Sequence, residues 1–194
     1  MARLTTEERQ KTIIDEALNI IHEGGYEALS IRELANRVKI SEPAIYRHFL
    51  NKEDIILGIL SRISDFDQEL IKSVNKKDSP LEKLNEFIKF HFSFLEKNKQ
   101  MTSVIFAEEI FTQSNILKEK LLKILKHRKM LIVDIIESAK SDNKIKEVDS
   151  TELSKIIIGT IRMSVLEWKL GNFSYSLIES GNKIIKNLEK LIFN

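Results

Sequence analysis

The stretch Ser41–Lys52, "SEPAIYRHFLNK", stands apart from the rest of the chain. Elsewhere Ile, Leu, Lys and Glu recur at helical spacing. Here a proline, a tyrosine, an arginine, a histidine and a lysine follow in close order. The residues before it explain why. "IRELANRV" (31–38) and "EPAIYRH" (42–48) read as two helices joined by Lys39-Ile40-Ser41. Ser30 and Glu33 form a capping box for the first. Ser41 caps the second, with Glu42 and Pro43 in its first turn, where a missing N–H costs little. This is helix-turn-helix spacing, in which the second helix enters the DNA major groove.

Leu34, Ala35, Val38, Ile40, Ile45 and Phe49 fall on the inward side, and small Ala35 permits a close crossing. Glu42, Pro43, Ala44, Tyr46, Arg47 and His48 fall outward. The Arg47 guanidinium suits guanine O6 and N7; Ala44 and Pro43 suit a thymine methyl. Glu42 can accept from cytosine N4, but its place in the helix's first turn fits a helix-dipole role better. Tyr46 and His48 can donate to phosphates. Lys52, opening the next helix, and Arg32, near the start of its own, are further phosphate ligands.

The longer stretch "GYEALSIRELANRVKISEPAIYRHFLNKEDIILGIL" (25–60) resembles the DNA-binding domain of the tetracycline-repressor-like (TetR/AcrR) transcriptional regulators. The likeness includes the Tyr, the Phe and the closing Lys of "IYRHF-NK". It implies an all-α dimer with an N-terminal three-helix reader and a divergent C-terminal bundle. It carries DNA contacts to Arg32, Pro43, Ala44, Tyr46, His48 and Lys52, and places Arg47 where the family often reads a base. Lys39 departs from the family, which usually has glycine at that turn. A non-glycine residue there at positive φ costs about 1 kcal/mol.

Composition narrows the rest. The net charge is +2, and residues 1–52 hold eight Lys/Arg against eight Asp/Glu, so any nucleic-acid contact comes from charge placement rather than excess. The chain has no cysteine, which removes disulfides, thiol chemistry and most structural zinc sites. His22, His48, His91 and His127 are scattered and make no metal spacing, so no metal and no cofactor is expected. Nothing supplies an enzyme's nucleophile, so the chain is read as a non-enzyme. "MARLTTEERQ" lacks a signal peptide's apolar core and no stretch approaches a membrane span, which gives a cytoplasmic reading.

Six glycines and two prolines leave little besides helix. The pattern predicts an all-α fold of about nine helices, divided into a DNA-binding domain (1–52) and a ligand-binding and dimerisation domain (53–194). Thr5 and Glu8 box the first helix, which Gly24-Gly25 ends. A fourth helix runs from about 52 to 74. Ser79-Pro80-Leu81-Glu82 is the strongest helix start in the chain. Further helices are expected over 80–97, 101–111, 115–140, 151–170 and 175–192.

Residues 84–95, "LNEFIKFHFSFL", are apolar nearly all round, as in a helix packed on most sides. Phe87, Phe90, His91 and Phe94, with Phe106 and Phe111 beyond, form the candidate ligand site. Leu177, Gly181, Ile184, Leu188 and Leu191 step by four and three, a seam suited to a partner helix. With Ile157, Ile161 and Trp168 they are the candidate homodimer face. The function implied is a ligand-responsive transcriptional regulator, read as a repressor. It would bind a palindromic DNA operator as a dimer and be released by a small apolar or amphipathic effector. The fourth helix would carry the signal to the reader, as the resemblance implies. The alternative is an architectural or partner-regulated DNA-binding protein without an effector.

Overall fold

The computed structural model describes residues 4–192, which form ten α-helices and a 3-10 turn at Tyr26–Ala28. The helices are α1 (Thr6–Gly24), α2 (Ile31–Val38), α3 (Glu42–Tyr46), α4 (Lys52–Asn75), α5 (Pro80–Lys97), α6 (Met101–Ile105), α7 (Glu108–Thr112), α8 (Asn115–Ser141), α9 (Ser150–Leu170) and α10 (Leu177–Ile192). None is long and apolar enough to cross a membrane among the described residues. The tenth helix arises because the one expected over 101–111 is two. The chain leaves helical geometry at Ala107 (φ −92°, ψ 78°) with no glycine or proline to announce it. Burial of Val104, Ala107, Ile110 and Phe111 outweighs local propensity there.

The caps explain the helix starts. Thr5 and Glu8 form the expected reciprocal box, with Glu8 N–H on Thr5 Oγ1 at 3.2 Å and Thr5 N–H on Glu8 Oε2 at 2.8 Å. Ser79 and Glu82 do the same ahead of Pro80. Ser30 forms only half its box. Its Oγ accepts from Glu33 N–H at 3.1 Å, but the Glu33 carboxylate turns to Arg37 Nε at 3.0 Å. Ser41 has extended N-cap backbone and no side-chain cap bond.

The packing divides into two compact units that do not follow the sequence boundary at residue 52. One comprises residues up to Ser64 with Lys99–Leu122; the other comprises Asp65–Asn98 with the chain from Lys123. Both α4 and α8 contribute to each. In the first, α1 packs on α2 and α6, and α4 crosses α1 closely enough that a Cβ on Gly58 would meet Ile14 Cδ1 at 2.8 Å. In the second, α10 and α9 lie against α5. Its core includes Leu84, Phe87, Ile88, Phe92, Ile132, Ile136, Ile157 and Ile185.

In this packing most of the expected dimer seam lies inside the chain. Leu177, Gly181 and Leu188 are buried within the chain, as are Ile157, Ile161 and Trp168. The α10 stripe is spent on α5, where Gly181 admits the Phe92 ring. Trp168 Nε1 donates to the Tyr175 carbonyl at 2.7 Å and its ring meets Phe173 edge-on at 4.7 Å, so it pins the α9–α10 loop. Of the eight residues, Ile184 is half-buried and Leu191 is exposed.

The Gly181 contact gives a stability test. A Cβ there would lie 2.1 Å from Phe92 Cδ2, on a ring with no exposure. Overpacking of that kind costs roughly 1–3 kcal/mol, more than the ~1 kcal/mol that alanine gains over glycine in a helix. Gly181→Ala is therefore expected to lower the urea midpoint. A raised midpoint would show that α10 does not pack on α5 this closely.

Candidate nucleic-acid interface and effector site

The reader turns on Lys39. It ends α2 at φ 57°, ψ 46°, in the left-handed conformation that glycine usually supplies. Lys39 N–H bonds the Asn36 carbonyl at 3.2 Å and Ile40 N–H bonds the Ala35 carbonyl at 3.0 Å. This Schellman pairing satisfies the end of α2 and turns the chain into α3. Leu34, Ala35, Val38, Ile45 and Phe49 bury together beneath. Arg37 bridges Glu23 and Glu33 at the surface, holding α2 to α1.

That core leaves the recognition set outward. Arg32, Glu42, Pro43, Tyr46 and Arg47 are exposed, Tyr46 by 49%, while Ala44 and His48 are half-buried. His48 has one face inward: its Nδ1 is buried without a partner, and its carbonyl accepts from Gln10 Nε2 at 3.4 Å. Lys52 is engaged. Its ammonium donates to the Tyr26 carbonyl at 2.9 Å and lies 3.6 Å from the Tyr26 ring centroid. Burial draws its pKa down. A phosphate reaching Lys52 must compete with that carbonyl. Arg9, missed in the sequence, lines a cleft with Leu4, Ile40, Ala44, Arg47 and His48, which brings α1 beside the reader. No motif marks it.

The second unit gathers four of the six candidate ligand residues. Phe87 and His91 are buried, and Phe90 and Phe94 are half-buried. Phe106 and Phe111 fall in the first unit, where Phe111 is core. The organiser is Phe66 of α4, which the sequence reading missed. Its ring lies 5.2 Å from Phe90, 5.1 Å from His91 and 4.4 Å from Phe94. Over its face, at 4.8 Å, stands the Arg128 guanidinium. Arg128 Nε donates to Asp67 Oδ1 at 2.6 Å, both side chains being largely buried. Burial raises the Asp67 pKa, and the charge and hydrogen bond of Arg128 oppose it. A signal existed: beyond Arg62 the chain uses arginine only at 128 and 162, among many lysines. Arginine is preferred over lysine where a charge must be buried and stacked. No group of three His, Cys, Asp or Glu among the described residues is placed to hold a metal.

His91 is 7% exposed and its Nδ1 lies 2.7 Å from the Phe87 carbonyl. A carbonyl only accepts, so Nδ1 carries the proton. Burial and then the Arg128 charge push the His91 pKa down to about 3, against the pull of that hydrogen bond. The ring is neutral at physiological pH. Between an unfolded value near 6.5 and about 3, the unfolded state binds the extra proton, so stability falls as pH falls through this window. The slope approaches about 1.4 kcal/mol per pH unit. His91→Asn keeps a donor for Phe87 and cannot titrate. Urea melts should show wild type losing stability relative to this variant from pH 6.5 downward. A pH-independent difference would place His91 in a solvated site.

Comparison with known proteins bears on both regions. Residues 13–59 match the family of bacterial regulatory proteins, tetR family, and residues 60–191 match the YsiA-like protein C-terminal region. The fatty acid metabolism regulator protein of Bacillus subtilis (strain 168) is 29% identical over 185 residues, covering 94% of each chain. The structure of the transcriptional regulator FadR from Bacillus subtilis in complex with stearoyl-CoA has a TM-score of 0.81 at 28% identity, covering 92% of this chain and 96% of that one. The fatty acid degradation regulator FadR from Bacillus halodurans has the same fold, with a TM-score of 0.83 at 23% identity and coverage of 97% and 96%. The chain belongs to the tetR family of ligand-responsive, DNA-binding transcriptional regulators.

Proposed function

We propose that this protein is a homodimeric repressor that binds a palindromic operator and is released by a long-chain acyl-CoA. The observation that carries this reading is the cluster about Phe66. Half-buried rings offer an apolar chain a surface, and a polar group stands against them. The Bacillus subtilis relative crystallised with stearoyl-CoA aligns over most of this chain and supports the same ligand class here. An acyl-CoA is amphipathic, as the mixed lining requires. The exposed Glu42–His48 surface would read the operator, with Arg47 on a guanine, and the Lys52 ammonium would exchange Tyr26 for a phosphate.

A second copy would cover α9. Ile156, Gly159, Met163, Leu166 and Leu170 repeat by three and four, and Ile156, Met163 and Leu170 are 59%, 54% and 72% exposed. A Cβ on Gly159 would meet nothing within 4 Å in its own chain, which leaves room for a partner helix. Ile156→Asp with Met163→Asp should yield a folded monomer in sedimentation. A persistent dimer would move the interface elsewhere.

The functional test uses fluorescence anisotropy on operator DNA selected from a random pool. An inverted repeat should be recovered, with half-sites about one helical turn apart or more. Arg47→Ala should cost ~1–3 kcal/mol and relax one base position. Stearoyl-CoA should weaken DNA binding about tenfold or more, which needs ~1.4 kcal/mol of differential affinity, whereas CoA alone should not. DNA binding indifferent to stearoyl-CoA would favour a DNA-binding protein without this effector.

A further inference from the structure

The charge of α8 is uneven. Between Lys118 and Met130 stand six Lys/Arg and one acid, Glu119, a net charge of +5. The rest of the chain holds 25 Lys/Arg against 28 Asp/Glu, a net charge of −3. Within the run Arg128 is spent on Asp67 and Phe66. The five lysines, Lys118, Lys120, Lys123, Lys126 and Lys129, have no ion-pair partner among the described residues. Leu117, Ile124, Ile132 and Ile135 turn inward and are buried. The outward side is not purely polar: Leu122, Leu125 and Met130 are 53%, 43% and 52% exposed. Lys118, Leu122, Leu125 and Lys129 step by four, three and four, and Lys123, Lys126 and Met130 step by three and four beside them. Cations and large apolar residues therefore share one broad helix face.

We infer that this face of α8 is a docking surface for an anionic lipid membrane. A single exposed leucine needs no explanation, and lysines alone make an ordinary solvated face. Their interleaving is what a lipid interface fits. Lysine ammonium groups reach the headgroup phosphates, while their stems, with Leu122, Leu125 and Met130, enter the apolar boundary beneath. A nucleic acid would pair with the lysines and leave three large apolar side chains in water. A second copy packed here across a two-fold axis would set the lysines of one against those of the other. The exposed apolar residues of α9 differ, since Glu152 and Lys155 pair beside Ile156 and balance the charge there. Neither operator DNA nor effector takes part in the contact.

Co-sedimentation of the full-length protein with lipid vesicles tests this. Vesicles of phosphatidylglycerol and phosphatidylcholine in equal parts should bind it at least about tenfold more tightly than phosphatidylcholine alone, and raised salt should release it. Lys123→Gln with Lys126→Gln should weaken that binding about tenfold or more. Leu125→Ser with Met130→Ser should weaken it severalfold, because insertion needs the apolar residues. All four side chains are exposed, so neither pair disturbs the core. Insertion itself is read from Leu125→Trp, whose fluorescence should be quenched by vesicles with brominated acyl chains, while buried Trp168 is shielded. Vesicle binding that survives both pairs, or unquenched fluorescence from bound Leu125→Trp protein, would overturn the proposal. Heparin binding as tight as vesicle binding and indifferent to the serine pair would make the face a general polyanion surface and overturn it equally. Loss of self-association in the serine pair would assign the face to a second copy instead.

Discussion

The Phe66 ring is the contact around which the second unit's chemistry is built. It sits on α4, yet α5 brings Phe90, His91 and Phe94 against it and α8 brings Arg128 to its face. A ring can do this because its edge is partially positive and its face partially negative. It therefore packs against other rings and accepts a cation at the same time. Fixing Arg128 over the face also sets its Nε against Asp67, the residue after Phe66. A leucine at 66 would fill similar volume and orient neither the rings nor the guanidinium.

The reader rests on a different economy. With a net charge of +2, the protein carries no general attraction for DNA, so orientation must supply what charge does not. The left-handed Lys39 and its Schellman bonds set the angle between α2 and α3. Leu34, Ala35, Val38, Ile45 and Phe49 then fix which side of α3 faces out. Lys52, at the start of α4, is held by the Tyr26 carbonyl and ring.

Local chemistry was legible in the sequence, and long-range pairing was not. The Thr5 and Ser79 boxes, the α2–α3 turn and the outward set on α3 follow from residues within a few positions of one another. Periodicity on α10 revealed a face but not its cover; α5, some 90 residues earlier, occupies it through Phe92 and Gly181. The bend at Ala107 has no breaker residue because tertiary burial makes it. Phe66 and Asp67 lie about 60 residues from Arg128, and nothing local marks that they meet. The lone arginine in a lysine-rich α8 was the available clue. Phe106 and Phe111 show the converse: composition grouped rings that the packing assigns to different units.

Effector contact at Phe66 and DNA contact on α3 are what we propose, in one molecule whose α4 supplies residues to both units. The most direct test replaces phenylalanine with 4-fluorophenylalanine and follows the Phe66 fluorine resonance, assigned through Phe66→Leu. On titration with stearoyl-CoA that resonance should shift and saturate at the same ligand concentration that releases operator DNA. Release of DNA with the Phe66 resonance unmoved would contradict the account and place the effector elsewhere.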